Sequence, residues 1–301
     1  MIVDFQHHFT PRELMREDPG DRLILNYDAL GAPSYTVHKL LYDLDEHVRM
    51  MDVAGVDAAW LTSAAGMCAD LETSRLVNDK AKKAERDYPG RFIGAAHAHP
   101  LGGAEAFKEL ARCRHELGFP GVTICSEFDG KWIDDPAIEP FWSEVEKLGL
   151  FVFVHPALKL NQAQQFDAYD TARGVGREFS LIMALIRLVN SGVFDRHPTL
   201  TVHVAHLAGG VAGMLSRIRC FQDKDFWGTA GFAGGIGAVK AGLCEIPASR
   251  MVFATDYPQE IRKREIVRDF VRDIRALGPD GERILSGNVG LLLKEPLHAH
   301  A

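Results

Sequence analysis

Short, nearly uninterrupted apolar runs recur along the chain at residues 2–6, 58–61, 92–97, 122–125, 150–155, 200–206 and 251–255, and each ends in polar residues. Between most of them lie longer segments with apolar residues at helical spacing, at 44–53, 71–88, 104–117, 138–148 and 179–189. Strands that alternate with helices predict βαβ units and a parallel sheet. Many runs are apolar on both faces, as expected of strands covered by helices. Gly118 and Gly149 stand where two of the helices should stop. The pattern predicts an α/β fold, a (β/α)8 TIM barrel, with residues 1–301 as one domain. Seven strands are read directly. The eighth is missing between Cys220 and Arg250, where Gly228, Gly231, Gly234, Gly235 and Gly237 leave open a degenerate strand or a mobile active-site loop. Residues 11–39 read as an insertion after strand 1, over the barrel mouth.

Composition narrows the function classes. The chain has 301 residues, 47% of them hydrophobic and 25% charged, with a formal net charge of −7. The sequence pI near 6.0 excludes a general nucleic-acid binder, which carries a basic domain or stripe. The basic run Arg262, Lys263, Arg264 is matched by Glu260 and Glu265 and reads as a solvated helix face. Five cysteines, Cys68, Cys113, Cys125, Cys220 and Cys244, form no C-x-x-C pair, as expected of reduced thiols in a cytoplasmic protein. The opening MIVDFQHHFTP lacks the basic flank and long apolar run of a signal peptide. No segment reaches the ~20 apolar residues of a membrane span, so neither membrane nor nucleic acid is expected as a partner.

In a barrel the chemistry sits at the C-terminal ends of strands, so the residues there matter most. Strand 1 ends in Asp4-Phe5-Gln6-His7-His8; alternation puts Asp4, Gln6 and His8 on one side and His7 on the other. Strand 5 ends at His155, in FVFVHP. Strand 6, TVHVAHLAGG, places His203 and His206 on one side, with His206 at the lip. The last strand, MVFATDYP, ends at Asp256. Any one of these residues has a bland explanation as a hydrogen-bonded core residue or a turn. Four strand ends that jointly present His8, His155, His206 and Asp256 make a site for Zn²⁺ or Mn²⁺ with open positions. His97 and His99, in GAAHAHP, have H-x-H spacing and read as pocket residues rather than metal ligands.

These motifs resemble the amidohydrolase-related (amidohydrolase 2) family that includes aminocarboxymuconate semialdehyde decarboxylase and γ-resorcylate decarboxylase. VDFQHHFTP is similar to that family's D-x-H-x-H-F-x-P. LDEHVRMMDVAGVDAAWL, ELGFPGVTI, FWSEVEKLGLFVFVHP, SGVFDRHPTLTVHVAHLAGG, RMVFATDYP and ILSGNVGLLLK extend the resemblance over nearly the whole chain. It implies His8 and His155 as metal ligands, Asp256 as ligand or proton shuttle, and His206 as acid/base. It also implies a homodimer in which Arg217 reaches a neighbouring subunit's substrate carboxylate; its other reading is a helix-surface arginine. Gln6 departs from the pattern, because the family has His there and the resorcylate-type decarboxylases Glu. Three readings follow: Gln6 ligates through its carbonyl oxygen, His7 swings in through a bulge, or the metal is lost.

The resemblance implies a metal-dependent enzyme acting on a small-molecule carboxylic acid, with non-oxidative decarboxylation of an aromatic or unsaturated acid as the first expectation. Hydrolysis or hydration of a lactone, amide or ring-cleavage product by activated water uses the same residues and stays open. A non-catalytic binding protein on the same scaffold is the third reading.

Overall fold

A computed structural model describes residues 1–27, 33–161, 163–166, 168–214, 229–230, 236–259 and 261–294. The first half runs β1 (Val3–His8), β2 (Ile24–Tyr27), β3 (Pro33–Val37), α1 (Leu44–Ala54), β4 (Ala58–Thr62), α2 (Leu71–Asp87), β5 (Phe92–Gly94), β6 (Ala96–His97), α3 (Gly103–His115) and β7 (Gly121–Cys125). A small ladder of β8 (Glu127–Phe128) and β9 (Lys131–Trp132) follows, then α4 (Glu139–Leu148) and β10 (Phe151–His155). The remainder holds α5 (Arg177–Asn190), α6 (Val193–Arg196), β11 (Val202–Val204), β12 (Thr229–Ala230), α7 (Ile236–Gly242) and α8 (Arg264–Arg275). Local chemistry sets the helix ends. Asp43 caps α1 by accepting the Glu46 N–H, and Gly55 stops it at φ +69°, a conformation that suits glycine.

The strands pair in parallel, as the alternating pattern predicts. One sheet has the order β1–β4–β5 and the other β6–β7–β10–β11–β12. Only Ala95 separates β5 from β6, and its N–H bonds to Leu61 at 3.3 Å. On the far side of β1, the last strand expected from sequence supplies the partners. Phe5 N–H meets the Phe253 carbonyl at 3.0 Å, Asp256 N–H meets Gln6 at 2.9 Å, and His8 N–H meets Tyr257 at 2.7 Å. Part of the missing eighth strand is β12, which pairs with β11 through His203↔Thr229 and Val204↔Ala230. This supports the degenerate-strand reading for those two residues; Cys220, Gly228, Gly231, Gly234 and Gly235 lie outside the described residues.

The sheet curls. β1 and β10 are several strands apart in the hydrogen-bonded order, yet the Phe5 and Phe151 rings lie 6.4 Å apart. Trp60 of β4 packs on Phe151 at 4.8 Å and on Phe153 at 5.3 Å, and His203 of β11 stacks on Phe153 at 4.9 Å. Phe151 and Phe153 are two residues apart, so both face this shared interior, while Val152 and Val154 between them are buried on the other face. Truncating one of these fully buried rings to alanine should cost about 3–5 kcal/mol. Between β1 and α1, β2 and β3 form an antiparallel hairpin. Among the described residues no helix is long and apolar enough to cross a membrane.

Candidate metal centre and active-site cavity

His8 ends β1, His155 ends β10, and Asp256 follows the segment hydrogen-bonded beyond β1, so parallel pairing brings all three to one end of the sheet. Each is buried, and one ligand atom from each lies within 4.8 Å of the others. His8 Nε2 is 2.7 Å from Asp256 Oδ1. The Thr62 hydroxyl, which donates to the His7 carbonyl, lies 2.8 Å from His8 Nδ1 and can accept its proton, leaving Nε2 turned to the centre. His155 is oriented the same way, with Nδ1 2.8 Å from the Pro156 carbonyl and Nε2 free to ligate. Burial first, and the charge of His8 second, hold His155 well below the usual imidazole range, so it is neutral, the form that binds metal. For Asp256, burial would raise the pKa, but the hydrogen bond from His8 and the charges of His8 and His206 outweigh it, so the carboxylate is held ionised. Its backbone sits at φ +57°, a left-handed position that aspartate tolerates better than most residues.

Two imidazoles and a carboxylate at this spacing are a donor set for Zn²⁺ or Mn²⁺. Gln6 stands beside them. Its Nε2 donates to Asp256 Oδ1 at 2.7 Å and lies 3.0 Å from His206 Nε2. Its Oε1 is buried with no hydrogen-bond partner among the described residues, an acceptor that a cation or its water would satisfy. The metal-binding reading of the triad therefore fits the side chains present.

His7 does not join the triad, contrary to the reading in which a bulge swings it inward. The β1–β4 register does shift between Asp4 and His7. His7 nonetheless points away, with Nδ1 3.0 Å from Asp4 and Nε2 2.9 Å from His47. The shift also breaks the strict alternation expected of strand 1, since the Asp4 carboxylate meets His7. Asp4 also accepts from the Thr255 N–H and hydroxyl at 3.0 and 2.5 Å, which ties β1 to the last strand.

A cavity of about 890 Å³ opens above the triad, lined by His8, His155, His206 and Asp256 together with Tyr35, Thr36 and residues after β10. His206 lies just beyond β11, where the chain leaves extended conformation: residues 206–209 all have φ between 51° and 69°. His206 Nδ1 is 2.6 Å from Glu178 Oε1, on α5. Sequence reading did not single out Glu178. It is one polar residue among several on an amphipathic helix, and only the cavity distinguishes it.

The other expected site residues are placed differently. His97 is fully buried, its Nε2 accepts the Ser63 N–H at 3.0 Å, and burial lowers its pKa to about 3. His99 accepts the Leu101 N–H at 3.1 Å and faces Asp129 at 3.1 Å. Neither is among the residues that line the cavity, because the H-x-H segment leads into a helix start and its imidazoles are used locally. Arg217 lies outside the described residues. Arg262, read from sequence as part of a solvated helix face, instead lines the cavity: α8 begins only at Arg264, so Arg262 precedes the helix. Its neighbour Arg264 is paired with Glu46 at 2.5 Å.

The amidohydrolase family model matches residues 3–288. A γ-resorcylate decarboxylase of Rhizobium sp. (strain MTP-10005) is 30% identical over 259 residues, which cover 74% of this chain and 79% of the relative. A 2-amino-3-carboxymuconate-6-semialdehyde decarboxylase of Dictyostelium discoideum is 34% identical over 148 residues, 49% of this chain and 41% of the relative. Among solved structures, a dihydroxybenzoic acid decarboxylase from Polaromonas sp. JS666, with bound manganese and the inhibitor 2-nitroresorcinol, matches with a TM-score of 0.77 at 22% identity, covering 97% of this chain and 96% of that one.

Proposed function

The chain belongs to the amidohydrolase family, and from that premise we propose that it is a metal-dependent, non-oxidative decarboxylase of an aromatic or unsaturated carboxylic acid. The observation that carries the reading is the meeting of His8, His155 and Asp256 within 4.8 Å on the wall of a cavity that also contains His206. The curled succession of parallel strands supports a (β/α)8 barrel built as one domain over residues 1–301. Tyr35 and Thr36 in the cavity wall support an insertion at 11–39 that covers the barrel mouth. The cysteines Cys68, Cys113, Cys125 and Cys244 are free, in keeping with a cytoplasmic enzyme, and the family resemblance supports a homodimer.

His8, His155 and Asp256 would hold a divalent metal, with Gln6 Oε1 as a neutral oxygen beside it. When bound, the metal supplies Lewis acidity that neutralises a substrate carboxylate and an adjacent oxygen. His206 carries the proton. Its Nδ1–H is held by Glu178, so Nε2 is the atom turned to Gln6 and the cavity. Protonated there, His206 delivers the proton to the ring or vinyl carbon as the bond to the carboxylate carbon breaks and carbon dioxide leaves. The proton ends on that carbon and the bonding electron pair forms the new C–H bond. Glu178 stabilises the imidazolium before transfer. Gln6 donates to Asp256 Oδ1 and, while His206 is neutral, to its Nε2, a contact that gives way when Nε2 takes up the proton.

The test is carbon dioxide release from hydroxybenzoates. His206→Asn should lower kcat by about 10²–10⁴-fold, the usual worth of a positioned acid/base, with metal content unchanged. Lactone hydrolysis without gas release, or full activity of the variant, would reject the reading.

A further inference from the structure

The acidic side chains that line the cavity each have a basic partner. Asp256 faces His8, Glu178 faces His206, and Asp170 holds Arg173. Arg262 belongs to none of these pairs. It is partly buried in the cavity wall, and its Nε is shielded from solvent with no hydrogen-bond partner among the described residues. The group whose titration feels its charge is His38, which is buried and whose two ring nitrogens have no hydrogen-bond partner among the described residues. Burial and then the Arg262 charge push His38 down to about 4, so this neighbour is neutral and supplies no counterion. A partly buried guanidinium whose Nε–H is shielded from water gains from an anion that reaches it.

Position separates Arg262 from the metal centre. The triad stands at the end of β1, at the end of β10 and after the segment hydrogen-bonded to β1. Arg262 enters the wall from the turn before α8, beside Ile261 and Ile266. Besides the metal triad with His206, and Arg173 and Arg177 on the α5 side, the cavity thus holds a further cation at Arg262.

The geometry points to Arg262 as the receptor for a second carboxylate on the substrate, one that stays on the product, so that the substrate class is an aromatic or unsaturated dicarboxylic acid. This inference rests on the decarboxylase reading for the carboxylate that leaves; Arg262 accounts for the one that remains. Its planar fork suits bidentate contact with a carboxylate.

Isophthalate and benzoate differ by one such group and serve as probes in calorimetric titrations of the metal-loaded protein. Isophthalate should bind at least about tenfold more tightly, the worth of one charge-assisted contact. Arg262→Gln should abolish that preference, and Arg262→Lys, which keeps the charge and guards against a folding defect in the first variant, should retain part of it. In turnover, Arg262→Gln should raise KM for 4-hydroxyisophthalate about tenfold while leaving salicylate within twofold. A preference for isophthalate that is absent in the wild type, or unchanged in Arg262→Gln, overturns the inference. If neither acid releases carbon dioxide yet the Arg262-dependent preference persists, the dicarboxylate subsite stands and the decarboxylase reading falls.

Discussion

Gln6 shows how much one atom decides at a metal centre. A glutamate at this position would put a second carboxylate beside Asp256, whose Oδ1 lies 2.7 Å from the Gln6 amide nitrogen. Without a cation, two carboxylates that close repel; with one, both ligate. Gln6→Glu should therefore lower the apoprotein's thermal stability and raise its affinity for Mn²⁺ by about tenfold or more, measured by metal-competition titration. Equal affinity in the two proteins would mean that position 6 does not face the ion. The histidine and aspartate positions were legible in the sequence because each follows an apolar strand run. Glu178 and Arg262 were not legible. Which polar residue of a helix, or of the turn before one, faces a cavity depends on how the elements pack, and hydropathy does not encode it.

At the scale of elements, the segment after β11 positions His206 in the cavity wall. His206, Leu207, Ala208 and Gly209 all take left-handed backbone conformations, which non-glycine residues adopt rarely and at a cost. That turn is what directs His206 toward Glu178 rather than along the strand. Gly209 makes it possible: a Cβ there would lie 2.1 Å from the Glu178 carbonyl oxygen, at φ +69°. Gly209→Ala should destabilise the protein by about 1–3 kcal/mol, as forced overpacking does, and should also impair activity by displacing α5 and its carboxylate. Denaturant melts and kcat measured together check this. Loss of stability with unchanged kcat would separate the turn from the chemistry. Sequence reading anticipated His206 at the lip of a strand, but not the left-handed turn, because the HLAGG pattern shows glycines without the close approach that demands them.

Across the whole molecule, binding and folding are coupled. The three proposed ligands come from β1, β10 and the last strand, far apart in sequence and brought together only when the sheet has curled. A metal held by all three stabilises the folded state alone, by about 2.7 kcal/mol when free metal is a hundredfold above Kd. Dialysis against a chelator should therefore lower Tm by several degrees, and Mn²⁺ or Zn²⁺ should restore it. An unchanged Tm would argue that the triad holds substrate and no ion.

The chain's own pattern determined the kind of fold and named most of the residues of the proposed site. Alternating apolar runs and amphipathic segments dictate parallel βαβ units, and strand ends present side chains in a fixed direction, so His8, His155, His206 and Asp256 could be named before any coordinates. Tertiary structure decided the rest. It turned His7 to Asp4 and His47, took up His97 and His99 in local hydrogen bonds, and brought Arg262 from an expected solvent face into the cavity. Periodicity reports which face of an element is buried. The partner that a buried polar group meets depends on the distances between elements, and those exist only in the folded chain.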